Sequence, residues 1–145
     1  MGIHLSDAAH RHIAAFSDLT GVVPTDCIVE EPLTFVIPPD DMAQAIGPDG
    51  ETVQAVEAEF DSAVVLVAAS EHPEDFIANA LEPAVIEEIS IEESGGQLIA
   101  EVAVDDRDLG LAIGTDGQRI DRARTLAARH FGIDDITIRA ANAHA

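Results

Sequence analysis

The sequence predicts an α+β fold built from two tandem units, each a three-stranded sheet packed against helices. Three observations lead there. A phrase recurs: Ala45-Ile46-Gly47-Pro48-Asp49-Gly50 is echoed 67 residues later by Ala112-Ile113-Gly114-Thr115-Asp116-Gly117, and self-similarity at a fixed period marks a duplicated structural unit. Each copy is followed by apolar residues at helical spacing and then by a short apolar run of strand character. The length of 145 residues suits two small domains, and a hydrophobic content of 47% supplies a core. Units this small are marginal alone, so they are expected to pack against each other.

Taken in order, helical spacing runs from Asp7 to Leu19, with Ile13, Phe16 and Leu19 near one face, Ser6 as N-cap and Gly21 as the stop. Strands follow at Cys27 to Glu30 and Leu33 to Ile37, and Pro38-Pro39 ends the pair. Asp40 or Asp41 is expected to cap a short helix through Ile46, which leads into the turn Gly47–Gly50. A helix from Glu51 places Val53, Val56 and Phe60 on one face, and Ala63 to Val67 is an apolar strand.

The second unit retraces this path. Pro73-Glu74-Asp75 is a favourable first helical turn, and that helix must end before Pro83. Ile89 and Ile91 alternate with acids and serine as a half-buried strand. Ser94-Gly95-Gly96 is a hairpin turn, and Leu98 to Val104 is the return strand. Asp105 or Asp106 caps a helix through Ile113, and Gly114–Gly117 is the second turn. Gln118 to Phe131 is the longest helix, with Ile120, Ala123, Ala127 and Phe131 inward, and Ile136 to Arg139 closes the unit. Residues from about 140 read as a frayed tail. The expected domains are 1–71 and 72–145, each with the order helix–strand–strand–helix–turn–helix–strand.

That order, with a Gly-x-x-Gly between the last two helices, resembles the type II KH fold. Two such units nearly filling a chain resemble the archaeal NusA-like family of transcription factors. Thr20-Gly21 before Asp26-Cys27-Ile28, the run Gly110-Leu111-Ala112-Ile113-Gly114, and Ala127-Ala128-Arg129-His130-Phe131 followed by Ile133-Asp134-Asp135 carry the same resemblance, which spans about residues 5 to 139. It implies a non-catalytic, cytoplasmic factor of transcription elongation or termination that binds single-stranded RNA, with RNA polymerase as a further partner, no cofactor and a monomeric state. KH domains use such turns to clamp a nucleic-acid backbone. The implied RNA-binding residues are therefore Gly47, Pro48, Asp49 and Gly50 in the first unit and Gly114, Thr115, Asp116 and Gly117 in the second.

Glycines let the main chain approach closely, and N–H groups opening the next helix face phosphates. Bases would lie in a groove between the helix pair and an edge strand. Its expected walls are Ile46, Val53 and Leu33 or Phe35 in the first unit, and Ile113, Ile120 and Val102 or Val104 in the second. One feature departs from the usual pattern: each turn carries an Asp, which repels phosphate, and its local role is expected to be capping of the following helix. Charge separates the units. The helix after the first turn holds Glu51, Glu57 and Glu59, whereas its counterpart holds Arg119, Arg122, Arg124 and Arg129. Arg119 lies nearest the turn and Arg122 shares a face with Arg129, so the second unit is expected to dominate phosphate contact. The alternative use of these arginines is pairing with neighbouring carboxylates. The alternative function is a protein-interaction adaptor of polymerase or ribosome.

Other chemistry finds no support. Gly95-Gly96-Gln97 falls on the predicted hairpin, Asp105 to Asp108 reads as a helix start, and the histidines lack metal-ligand spacing. No Lys follows either turn as a P-loop requires. Cys27 reads as a small buried residue, and no apolar run is long enough to span a membrane. The charge is extreme: 28 acids face 7 bases, a formal net charge of −21, and every base is arginine. This composition fits a salt-loving organism. At about 1 M salt the Debye length is roughly 3 Å and self-repulsion is screened, whereas dilute buffer strains the compact state. The melting temperature should therefore rise as KCl goes from about 0.1 to about 2 M. A thermal scan by circular dichroism reads this directly, and a flat or falling midpoint would contradict it.

Overall fold

The structure is a computed structural model that describes residues 5–141. The chain divides into two compact units, Met1–Ser70 and Glu71–Ala145. The first unit opens with α1 (Asp7–Thr20), where the Ser6 hydroxyl accepts from the Ala9 N–H and Gly21 terminates the helix in a left-handed conformation. Strands β1 (Asp26–Ile28) and β2 (Leu33–Ile37) follow, then a 3-10 turn (Pro39–Asp41), α2 (Met42–Ile46), the turn Pro48–Gly50, α3 (Glu51–Phe60) and β3 (Val64–Ala68). The second unit runs α4 (Pro73–Ala80), β4 (Ile86–Ser94), β5 (Gln97–Val104), a 3-10 turn (Asp106–Asp108), α5 (Leu109–Ile113), the turn Thr115–Gly117, α6 (Gln118–Phe131) and β6 (Asp135–Ala140).

Each unit has one three-stranded sheet, ordered β1-β2-β3 and β4-β5-β6. The first pair is antiparallel and the second parallel in both sheets. The middle strand in chain order is thus also the middle strand of the sheet. This follows from the connections: a hairpin joins the antiparallel pair, while the helix pair supplies the long crossover that a parallel pair needs.

In the first unit the core gathers Phe16 of α1, Leu33, Phe35 and Ile37 of β2, and Val56 of α3. Phe16 and Phe35 rings lie 4.5 Å apart in a tilted arrangement, the offset geometry that aromatic quadrupoles favour. Cys27 is buried in this core. The Gln44 amide donates to the Thr20 carbonyl at 2.9 Å and ties α2 to the end of α1. In the second unit Phe76 and Ile77 of α4, Ala100, Val102 and Val104 of β5, Ile120 and Leu126 of α6, and Ile136 of β6 are buried.

Three local expectations need correction. Leu19 is 43% exposed, and Phe16 about one turn earlier takes the core position. Neither Asp40 nor Asp41 caps α2 through its side chain: the chain enters through the 3-10 turn, and Pro38 occupies its N-cap without a side-chain bond. In the second unit Asp105 does cap the equivalent turn, accepting from the Arg107 N–H. The last strand reaches Ala140, where a parallel register with Val104 extends the ladder. The rest of the expected tail, 142–145, lies outside the described residues.

Phe35→Ala should cost about 3–5 kcal/mol through a cavity in the first unit, whereas Leu19→Ala should stay within about 0.5 kcal/mol. Urea unfolding at constant KCl checks both, and similar costs for the two would contradict this packing.

Candidate functional site

The two glycine turns have the same backbone conformation. Gly47 and Gly114 lie at φ 78, ψ 168 and φ 82, ψ 172, a region open essentially to glycine alone. Asp49 and Asp116 lie at φ 54, ψ 25 and φ 53, ψ 27. Gly50 and Gly117 both sit at φ 76, ψ 13. The hydrogen bonds match as well. The Gly47 N–H donates to the Ala43 carbonyl and the Gly114 N–H to the Gly110 carbonyl, both at 2.9 Å; the Gly50 and Gly117 N–H groups donate to the Gly47 and Gly114 carbonyls, both at 3.1 Å.

The first glycine of each turn has no room for a side chain. A Cβ on Gly47 would stand 2.7 Å from the Thr52 Cβ and closer still to the Thr52 hydroxyl oxygen. One on Gly114 would stand 2.8 Å from both the Cβ and the backbone nitrogen of Arg119. The turn packs directly onto the first turn of the next helix. Gly50 and Gly117 are the N-caps of α3 and α6, and neither helix start receives a side-chain cap. Orphan N–H groups at a helix N-terminus, with the helix dipole behind them, attract anions.

The capping role expected of the turn aspartates is not what the structure shows. Their carboxylates accept no backbone N–H of α3 or α6 among the described residues. Conformation explains their place: Asp is among the few non-glycine residues that tolerate left-handed φ. Asp49 and Asp116 are both exposed.

The expected groove needs revision at its floor. Leu33 and Phe35 lie on β2, Val102 and Val104 on β5, and both are central strands with these four side chains in the core. Ile120 is also buried, 5% exposed, and offers no surface to a ligand. Ile46 and Ile113, each one residue before the turn, are exposed at 39%, and Leu111 at 44%. The exposed apolar surface beside each turn thus comes from the end of the short helix α2 or α5.

Electrostatics distinguish the units. Six of the seven arginines fall after residue 71. Arg107 pairs with Asp105 at 3.0 Å, and that hydrogen bond holds the Asp105 carboxyl below its ordinary pKa. Arg124 bridges Asp121 and Asp135, each at 3.0 Å, and donates to the Ile136 carbonyl. Those two serve the fold. Arg119 and Arg122 have no carboxylate partner among the described residues. Arg119 donates through Nη1 to the Leu111 carbonyl, spanning the turn from α6 back to α5. Arg122 is half-buried rather than on an exposed face with Arg129. Its Nε is buried without a hydrogen-bond partner. Burial, and then the nearby Arg119 charge, lower its pKa from the usual value. Two like charges side by side, one of them partly desolvated, invite an anion. In the first unit Thr52 stands where Arg119 stands, and Glu51 and Glu57 share its helix.

A family model described as the NusA-like second KH domain matches residues 73–141. The chain is 46% identical over 139 residues to the probable transcription termination protein NusA of Halococcus morrhuae, covering 95% of this chain and 99% of that protein. It is 41% identical over 140 residues to the protein of the same description in Halobacterium salinarum, with the same coverage. The transcription termination/antitermination protein NusA of Thermus thermophilus is 33% identical over 100 residues, or 68% of this chain and 25% of that longer protein. The crystal structure of APE1850 aligns with a TM-score of 0.82 and 28% identity, over 93% of this chain and all of that one.

Gly114→Ala should destabilise the second unit by about 1–3 kcal/mol, since the added Cβ meets backbone and the conformation disfavours it. Gly110 lies inside α5, and a methyl group there would meet nothing within 4 Å. Gly110→Ala should therefore stabilise by roughly 0.5–1 kcal/mol. The urea midpoints of the two variants should move in opposite directions, and a shift of both in one direction would contradict this reading of the turn.

Proposed function

The chain belongs to the NusA-like family and its second unit is a KH domain, and from that premise we propose that it is a non-catalytic, single-stranded-RNA-binding factor of transcription elongation or termination. In this reading both units are type II KH domains, 1–71 and 72–145, and the RNA is nascent transcript near RNA polymerase. One observation carries the proposal. Two turns of the same backbone geometry each lead into an uncapped helix start, and only the second sets two carboxylate-free arginines beside it.

The mechanism is backbone-based. Phosphates approach Gly114 to Gly117 because no Cβ intervenes at the glycines, and the N–H groups that follow Gln118 in the first turn of α6 donate to them, the Gln118 N–H itself being held by the Thr115 carbonyl. Arg119 exchanges the Leu111 carbonyl for a phosphate oxygen. Arg122 supplies a second, partly desolvated charge, where a charge-assisted bond is stronger than in open water. Bases rest on the exposed Ile113 and Leu111. At molar salt, counterion release contributes little, so affinity rests on hydrogen bonds and shape. The first turn lacks the cations and adds weaker contacts along the same strand.

The exposed carboxylates of Asp49 and Asp116 favour a second reading, an adaptor without RNA affinity. Fluorescence anisotropy with random single-stranded RNA at about 2 M KCl separates the two. The wild type should bind saturably, and Arg119→Ala/Arg122→Ala should weaken binding by about tenfold or more. Absence of binding by the folded wild type would favour the adaptor, and equal binding by both proteins would remove the arginines from the site.

A further inference from the structure

The first unit carries a concave surface that RNA binding does not use. It lies at the C-terminal end of α3, the end away from the glycine turn. There a depression of about 280 Å³ is lined by Val29, Leu33, Phe60 and His12. The His12 and Phe60 rings stack at 4.9 Å between centroids and 5° between planes. Three carboxylates rim it: Glu30 and Glu31 from the β1–β2 connection and Asp61 from the end of α3. All three are exposed. A shallower neighbouring depression of about 460 Å³ shares Glu31 and Asp61 and adds Glu57.

Acidity alone says little on a chain with 28 acids. What sets this place apart is the stacked His12–Phe60 pair among the lining carboxylates and the lack of a cation in the lining. Glu57 is satisfied, accepting from the Val64 N–H at 3.0 Å. The carboxylates of Glu30, Glu31 and Asp61 make no ion pair or hydrogen bond among the described residues, and no arginine lines either depression. The second unit differs at the equivalent level of its fold. The repeat places Arg124 opposite Glu57, and Arg124 bridges two carboxylates while bonding the start of β6. The first unit has no such cation at this place.

We propose that this depression docks an arginine from a basic segment of a protein partner. A planar guanidinium is the group that both stacks on aromatic faces and forks toward carboxylates. The His12–Phe60 pair and Val29 receive its flat face and stem, and Glu30, Glu31 and Asp61 receive its N–H groups. The three carboxylates are exposed and their attraction at a distance is screened at molar salt, so the contact rests on ring stacking and directed N–H to carboxylate hydrogen bonds. It is separate from the proposed RNA contacts, because it lies at the end of α3 away from the first turn and the arginines beside the second turn belong to the other unit.

The test is anisotropy of a rhodamine-labelled hexa-arginine peptide with the full chain at about 2 M KCl. Glu30→Gln/Glu31→Gln/Asp61→Asn is compared with Glu87→Gln/Glu88→Gln/Glu92→Gln, which removes the same charge from β4. Asn keeps the left-handed backbone at position 61, where φ is 51. The first triple variant should bind the peptide about tenfold more weakly and the second within about twofold of wild type. RNA binding by both should match wild type. Equal loss in the two triples, or no loss in the first, would overturn the proposal. Should the first triple fail to fold by its urea transition, Glu31→Gln alone should cost about threefold, and an unchanged affinity there would overturn it equally.

Discussion

In each unit two helices meet at a glycine onto which the next helix packs so tightly that a methyl group would collide with it. The constraint at Gly47 and Gly114 is steric and conformational at once: φ near +80° with extended ψ excludes side chains, and Thr52 or Arg119 fills the space a Cβ would need. Everything near the turn follows. The chain must then pass through a left-handed position, taken by Asp49 or Asp116. The next helix must start on a second glycine, so its first N–H groups have no side-chain cap. The 3-10 turn takes the first of them, the Glu51 N–H donating to the Pro48 carbonyl and the Gln118 N–H to the Thr115 carbonyl, and those that follow are left to meet an anion from outside.

The repeat then separates into a shared scaffold and divergent chemistry. Backbone angles at the two turns agree within a few degrees, while side chains at matching positions differ in charge, Thr52 standing against Arg119 and Glu57 against Arg124. Glu57 accepts from the N–H of Val64, and Arg124 donates to the carbonyl of Ile136. Each secures the last strand of its sheet to the long helix, by opposite polarities. Such a swap preserves the fold and changes the field at the surface. It leaves one unit rich in acids with a single arginine, and the other with arginines beside its turn.

Much of the fold is legible in the sequence. The order of helices and strands, the helix α6 from Gln118 to Phe131, the Ser6 cap and the two turns all follow from periodicity and glycine placement. Topology is harder. Apolar residues at Leu33 to Ile37 say that a strand has a buried face, but not whether neighbours flank it on both sides. β2 and β5 therefore read as groove walls when they are central strands. Asp49 misleads because Asp is a common N-cap, and φ is invisible in sequence. The Arg122–Arg129 spacing of seven defines a stripe but not its depth, so the burial of Arg122 is hidden. The depression at His12 and Phe60 joins residues from three separated segments, and no local pattern announces it.

In the function we propose, two turns with one backbone geometry differ in what they bind, because only the second has cations beside it. Amide-resolved NMR of the full chain, titrated with random single-stranded RNA at high KCl, reads this at the atoms concerned. Shift changes at the Gly114, Gly117 and Arg119 amides should saturate together, with smaller changes at Gly47 and Gly50. Equal changes at both turns, or changes confined to the first, would contradict it.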